Sequence, residues 1–435
     1  MTLQTTKTTR RGFLTGSGIL GFALFASGSV SVFRDEVTAQ AASGGPVNAW
    51  VTITPDDEMT IFYGGAEMGQ GVNTSLPMII AEELDADWST VSVEAVSADP
   101  TGVFGNPGFG GILFSAGSST LEGYYTYLRQ AGANARMILI HTAAAHWGVN
   151  PEDVTTEPGT VVHSANGQRM RYGAVAALPA LVTDFAEPGL KPRDQWRIMG
   201  TDIPREDIPG KTRGDAIYSI DVTLPNMVYA SQMQAPVEGE EPVSIDDTAT
   251  RATSGVVDVI KLKNSVAVLA DTFWAAQKGR EALEVEWTEN SPFRSANSAE
   301  ELTMLTEAAS NMDHDSVPWE TRGDAVAAFG AGTEVHSSEY ITEHVYHAQM
   351  EPLNAIAHVD EDGLGADIWL GSQSQTVSIG VAAGVLGTTP DRIRANQMQM
   401  GGAFGRRTVF AKELLRDALL LSREARRPVK LVWTR

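Results

Sequence analysis

Gly401-Gly402-Ala403-Phe404-Gly405-Arg406-Arg407 separates a stretch of strand character from an amphipathic helix at about residues 411–425. Glycines at this density leave backbone N–H groups uncovered and permit positive φ, so a ligand can approach the chain itself. Arg406 and Arg407 can meet a pyrophosphate bidentately. The run is not a Walker loop, because no Gly-Lys-Ser/Thr follows, and it is not a Gly-x-Gly-x-x-Gly fingerprint. By local physics it reads equally well as a tight turn into a helix with surface arginines. Downstream, Pro428-Val429-Lys430-Leu431-Val432-Trp433 has the pattern of a buried strand, and the sequence stops two residues later. That ending reads as a chain cut after a core strand.

Working outward, strands are expected at 334–341, 355–359 and 367–370, then a helix at 377–386. Residues 289–333 read as a polar surface linker. Residues 212–288 hold five strand-like runs and one helix, 272–282, which together read as a compact α+β module. Residues 186–211, rich in Pro and charge, read as a connector. Residues 47–185 form the N-terminal segment. It opens with a hairpin through Pro55-Asp56-Asp57-Glu58. A helix follows at 76–84, then an alternating strand at 91–96. Its longest element is a helix from Thr120 to Trp147.

The whole chain has 435 residues, 42 glycines, no cysteine and a formal net charge of −22. So acidic a surface repels phosphate backbones, which argues against nucleic acid as a partner. Without cysteine there are no disulfides, thiolate metal sites or cysteine-held iron–sulfur clusters. Any electrons this chain handles leave through another polypeptide.

Residues 1–42 read as a bacterial twin-arginine export signal. Arg10-Arg11 precedes an apolar stretch, and Ala39-Gln40-Ala41 supplies a small-x-small cleavage site. The alternative is an uncleaved membrane anchor. The expected location is the periplasm, with membrane association left open.

Three further groups draw attention. In Glu67-Met68-Gly69-Gln70-Gly71, two glycines flank a side chain with both a donor and an acceptor. Gly117-Ser118-Ser119 opens the long helix, where uncovered N–H groups and hydroxyls suit a phosphate or a polar ring. Taken alone, each reads better as an ordinary turn or cap. The third group, His336, His344 and His347 with Glu343 and Glu351, invites a metal reading, although strand character at 339–346 would separate the histidines. No nucleophile elbow is present, and carboxylate pairs such as Glu82/Glu83 and Glu240/Glu241 read as solvated faces.

Taken in order, these pieces resemble the molybdenum-binding large subunit of the xanthine dehydrogenase family, in the isoquinoline 1-oxidoreductase β-subunit and aldehyde dehydrogenase branch. The resemblance runs over about residues 47–435. It rests on Glu67–Gly71 with Asn73-Thr74, Ile80-Ala81-Glu82-Glu83-Leu84, Gly117–Ser119, Ala348-Gln349-Met350-Glu351-Pro352, Gly371-Ser372-Gln373, and Gly401–Arg407 followed by Lys430–Arg435. It implies an α+β, multi-domain molybdenum hydroxylase architecture. Residues 212–288 would be a hammerhead-type domain between cofactor-binding segments, and 334–435 the first molybdopterin-binding domain.

The implied cofactor is molybdopterin cytosine dinucleotide, its molybdenum held by the pterin and not by protein side chains. Gly69, Gln70, Gly71, Gly117, Ser118 and Ser119 would contact the pterin. Gln373 would approach the metal centre, and Gly402, Ala403, Phe404, Gly405 and Arg406 would lie against it, with Gln373 and Phe404 as the catalytic residues. The implied reaction is hydroxylation of an aldehyde or N-heterocycle with water as oxygen source. Electrons would pass to a small subunit with two 2Fe–2S clusters. A cytochrome or membrane acceptor, and a separate polypeptide supplying the C-terminal half, stay open as partners. Ala403 stands where most relatives carry Gly, so its methyl is expected to crowd the loop. The family's general-base glutamate, in a Gly-x-Gly-Glu motif, does not occur in this sequence. Hydroxylation by this chain alone is therefore not expected, and a non-catalytic, cofactor-holding half of a split subunit, or a truncated remnant, is the competing reading.

Overall fold

The computed structural model describes residues 50–99, 102–311, 313, 317, 320–329, 334–408 and 412–434, and the backbone of 20–24 and 30–33. The N-terminal sheet takes β1 (Leu20–Leu24), β2 (Val30–Phe33), β3 (Val51–Ile53), β4 (Met59–Tyr63) and β5 (Val91–Ala95) in the order β2-β1-β3-β4-β5. The expected hairpin is β3–β4, and Asp57 takes φ 67° in its turn. Arg10, Arg11 and Ala39–Ala41 lie outside the described residues. Two pieces of the apolar run behind the twin arginines nonetheless join this sheet, β1 antiparallel to β3 and β2 antiparallel to β1. An apolar run laid beside an open strand edge satisfies that edge's hydrogen bonds.

Helix α1 (Val72–Leu84) starts four residues ahead of expectation, so Pro77 sits inside it. Helix α2 (Thr120–Trp147) has the expected bounds and buries a stripe through Tyr124, Leu128, Ala135 and Ile138, with Leu121 exposed. The two helices cross closely because Gly132 has no side chain: a Cβ there would stand 2.5 Å from the Ile80 carbonyl oxygen. Trp50 packs edge-on against Phe104, with ring centroids 4.7 Å apart, in the core beneath. A small sheet of β6 (Val154–Glu157), β7 (Thr160–His163) and β8 (Arg169–Arg171) adjoins this layer.

Glu82 and Glu83 overturn the solvated-face reading: both are fully buried. One Glu82 oxygen accepts N–H bonds from Arg197, Ile198 and Met199 at 2.9, 2.6 and 3.0 Å. Glu83 pairs with Arg129 at 2.6 Å and accepts from the Lys191 backbone at 3.0 Å. The expected connector, 186–211, is thus strapped onto α1 by buried carboxylates. Glu240 is likewise buried, against Arg294.

The remaining major elements are β9 (Val228–Gln234), β10 (Pro242–Asp246), β11 (Val256–Lys261), β12 (Ser265–Ala270), α3 (Phe273–Glu281) and β13 (Glu284–Trp287). After them come β14 (Asn354–Val359), β15 (Ala366–Leu370), α4 (Gln375–Leu386), β16 (Ile393–Gln397), α5 (Lys412–Ala425) and β17 (Val429–Val432). Seven strands form one sheet in the order β11-β12-β9-β17-β14-β15-β16. β17 is buried along its whole length, antiparallel to β14 and parallel to β9. Residues 212–288 and 334–435 therefore share a sheet and are not separate modules, because a fully buried strand needs a partner on both edges. The first of the five strand-like runs expected in 212–288, at 218–222, reduces to a single bridge, Tyr218 with Gln399. The expected strand at 334–341 is irregular, exposed chain.

Candidate cofactor site

Glu67 organises the first loop. One of its buried carboxylate oxygens accepts the N–H groups of Gly69 (2.8 Å) and Gly71 (3.2 Å), and the other that of Asn73 (3.1 Å). The two glycines take φ 112° and 85°, values that a side chain would strain. Gln70 turns back on the same loop: its Nε2 donates to the Ala66 carbonyl and its Oε1 accepts from the Met68 N–H, both at 2.8 Å. Its amide is thus held in place, with one N–H and one lone pair to spare. Arg205, which sequence reasoning missed, clamps the loop from the strap side by donating to the Gly69 carbonyl at 2.9 Å. Asp207 anchors that arginine. Burial would raise the Asp207 carboxyl, but hydrogen bonds from Arg205 and Lys211 hold it at about 2.

The second loop delivers Gly117 and Ser118, both at φ 57°, to the start of α2. Ser119 caps nothing with its side chain, donating instead to the Gly117 carbonyl at 3.1 Å. The first turn of a 28-residue helix is left without a side-chain cap, a setting that favours negative charge.

The third piece comes from the far end of the chain. Gln373 Nε2 donates to the Ser115 carbonyl at 2.9 Å, and the Ser115 N–H donates to the Gln373 carbonyl at 2.8 Å. Gln373 is 3% exposed and its Oε1 has no hydrogen-bond partner among the described residues. The three pieces line one cavity of about 710 Å³, with Gln70, Gly117, Ser118, Gln373 and Gly405 on its walls beside Met68, Val72, Phe114 and Leu121. Among the described residues no Asp, Glu, Lys or Arg side chain lines it.

The glycine loop at 401–407 departs from expectation in three ways. Arg407 is buried, with Nε on the Gly402 carbonyl at 3.0 Å and Nη2 on the Glu351 carboxylate at 3.0 Å, so its guanidinium is spent inside the protein. Ala403 does not crowd the loop. Its φ is not positive, and it packs with Ala66 and Met400 in a small apolar cluster. Phe404, at φ 50°, is 64% exposed and is not part of the cavity wall. Arg406 is half-buried at the same turn.

The histidines do not converge. His336 faces Glu334 and His344 faces Glu301, both on exposed chain, while Glu351 is buried against Arg407. Among the described residues no group of three or more His, Asp or Glu side chains gathers as a metal site.

Two family models, each described as a molybdopterin cofactor-binding domain, match residues 4–232 and 307–435. The first match alone covers more than half of the chain. The chain belongs to the molybdopterin cofactor-binding family.

Within that family it falls in the xanthine dehydrogenase large-subunit branch. It is similar to the isoquinoline 1-oxidoreductase subunit beta of Brevundimonas diminuta, at 34% identity over 99% of this chain and 60% of the relative. It is also similar to the membrane-bound aldehyde dehydrogenase of Gluconacetobacter polyoxogenes, at 30% identity over 98% of this chain and 55% of the relative. The chain thus spans 55–60% of the length of these relatives. The solved quinoline 2-oxidoreductase of Pseudomonas putida 86 superposes on 54% of this chain and 34% of its own, at 18% identity and a TM-score of 0.42.

A molybdopterin suits the cavity on structural grounds as well. Gln373 Oε1, buried and unpartnered, offers an acceptor to a pterin N–H, and the uncapped start of α2 offers N–H groups to a phosphate. Sequence reasoning named Gln70, Gly117, Ser118, Gln373 and Gly405 and missed Ser115, Phe114, Leu121 and Thr408, which also line the space. Ser115 stands two residues before a singled-out glycine and was within reach. The apolar members carry no signal, since Phe and Leu in sequence read as core.

Proposed function

We propose that this chain holds and orients the molybdopterin of a hydroxylase acting on an aldehyde or an N-heterocycle. One observation carries the reading. Loops centred on Gln70, Gly117 and Gln373, far apart in sequence, line a single cavity, and Gln373 in that lining carries a buried amide oxygen with no hydrogen-bond partner among the described residues.

When bound, the cofactor supplies the redox chemistry, a two-electron oxidation of substrate with water as oxygen source. The chain's own residues bind and orient it. Gln373 is locked by Ser115 and presents the rest of its amide. Gln70 presents the edge that its loop leaves open. Met68, Val72, Phe114 and Leu121 keep water from the ring. Phe404 and Arg406 approach only from outside the cavity wall.

The cytosine dinucleotide form of the cofactor belongs to this proposal, as do a partner subunit with 2Fe–2S clusters and export through a twin-arginine signal to the periplasm. The lack of cysteine supports an external electron route. A general base for turnover must lie close to the oxygen it deprotonates, and none of the residues that line this cavity is assigned that role.

The test is to purify the chain from cells that make the cofactor, then measure molybdenum per chain and the nucleotide released by acid. Stoichiometric molybdenum with CMP is the expected result. A folded chain with neither molybdenum nor pterin sinks the reading.

A further inference from the structure

The carboxylate of Glu351 is buried and receives hydrogen bonds from three segments of the chain. Its Oε1 accepts from Ser219 Oγ at 2.9 Å, the Ile220 N–H at 3.2 Å and Asn354 Nδ2 at 3.1 Å. Its Oε2 accepts from the Gly401 N–H at 2.9 Å and pairs with Arg407 Nη2 at 3.0 Å. Arg407 returns to the same residue, donating to the Glu351 carbonyl at 2.7 Å. From Arg407 the chain of bonds runs to the cavity. Its carbonyl accepts the Gln373 N–H at 2.8 Å, and Gln373 carries the unpartnered oxygen. Gly405, two residues before Arg407, lies on the same wall.

Two features set this hub apart from a buried ion pair that serves only stability. It does not touch the cavity, yet both ends of the glycine loop, Gly401 and Arg407, hang on one carboxylate. Between those ends Gly402 and Gly405 take φ 92° and 85° and have no side chain to pack, and the backbone bonds at the ends, Glu351 N–H to the Gly401 carbonyl at 3.1 Å and Gln373 N–H to the Arg407 carbonyl at 2.8 Å, involve Glu351 and Gln373 themselves. Space around the hub is also closed: a Cβ on Gly401 would stand 2.5 Å from Glu351 Cβ.

We infer that Glu351 is a positioning residue of the cofactor cavity, setting Gln373 and the 401–407 loop through Arg407. The inference rests on the reading of the cavity as the cofactor's site, but the placement of the loop can be measured without cofactor.

The test compares the full chain with its Glu351→Gln, Glu351→Gln/Arg407→Met and Glu240→Gln variants. Glu240 is a buried carboxylate paired to Arg294 outside the cavity, so it controls for general destabilisation. The first readout is amide hydrogen exchange of peptides covering 371–375 and 399–408 in the cofactor-free chain. The second is cofactor retained after dialysis.

Exchange in both peptides is expected to rise roughly tenfold or more in Glu351→Gln and to stay near wild type in Glu240→Gln. Retention should fall by a similar factor in the first and not in the second. The double variant leaves no unpaired buried charge; it keeps the fold testable and should still show the faster exchange. Unchanged exchange in the double variant, or equal acceleration in Glu240→Gln, overturns the inference. Accelerated exchange with no cofactor bound even by wild type supports the positioning role and overturns only the cofactor reading.

Discussion

Ser115 and Gln373, separated by 258 residues, exchange two hydrogen bonds, backbone to backbone at 2.8 Å and side chain to backbone at 2.9 Å. The pair joins the N-terminal layer to the seven-stranded sheet at the cavity wall. Around it, Leu113 donates to Thr376 Oγ1 at 3.0 Å and Ser374 Oγ donates to the Leu113 carbonyl at 2.9 Å. The cavity exists because these two parts of the chain are stitched together here.

Gln373→Ala should leave the fold intact and weaken cofactor retention. It removes the free Oε1 and strands the Ser115 carbonyl, at a cost of about 1–3 kcal/mol in stability. Pterin content after dialysis and a urea titration check the two effects separately. Wild-type pterin content in this variant would argue against Gln373 as a contact.

Gly132→Ala should destabilise the N-terminal layer by about 1–3 kcal/mol, because the new methyl meets the Ile80 carbonyl and Glu83 Cβ where α1 and α2 cross. Gly189→Ala, where a Cβ meets nothing within 4 Å, is the matched control and should change little. Denaturant midpoints of the two variants decide it.

Glu82→Ala should free the strap. Three N–H groups, that of Ile198 buried and those of Arg197 and Met199 partly so, lose their acceptor and Lys191 loses a neighbouring carboxylate, a loss of about 3–5 kcal/mol if the segment stays docked. Limited proteolysis is expected to cut between 186 and 207 in the variant and not in the parent. Because Arg205 lies on this strap, the Gln70 loop should also loosen.

Lys430 gives a pH test. Its ammonium is buried, donates to the Ile220 carbonyl at 2.6 Å, and is pushed down to about 8 by burial, against the pull of Asp221 and Glu351. The unfolded lysine titrates near its ordinary value of 10.5. Between about 8 and 10.5 the unfolded state therefore binds more protons, and this residue's contribution to stability rises with pH. Below 8 the cost of burying the charge is fully present. Lys430→Met should remove that rise in a series of denaturation midpoints, and a wild-type slope in the variant would rule the assignment out.

The sequence by itself determined the family, the bounds of α2, and the glycine-flanked loops that meet at the site. Each of these is a local property. Glycine spacing sets where the backbone can bend, and a 3.6-residue apolar repeat sets a helix whatever surrounds it. The lack of cysteine is equally local and excludes thiolate chemistry outright.

Only the tertiary structure decided which polar groups face the ligand and which hold the protein together. Glu82 and Glu83 look like a solvated pair in sequence, yet they bind a strap more than 100 residues away. Arg407 looks like a phosphate ligand, yet it closes on Glu351. Nor does any local pattern show that β9 and β17 share an edge, which merges two expected modules into one sheet. Charge and hydrogen-bonding capacity are written in the residue, but the partner that satisfies them is set by burial, and burial belongs to the whole chain.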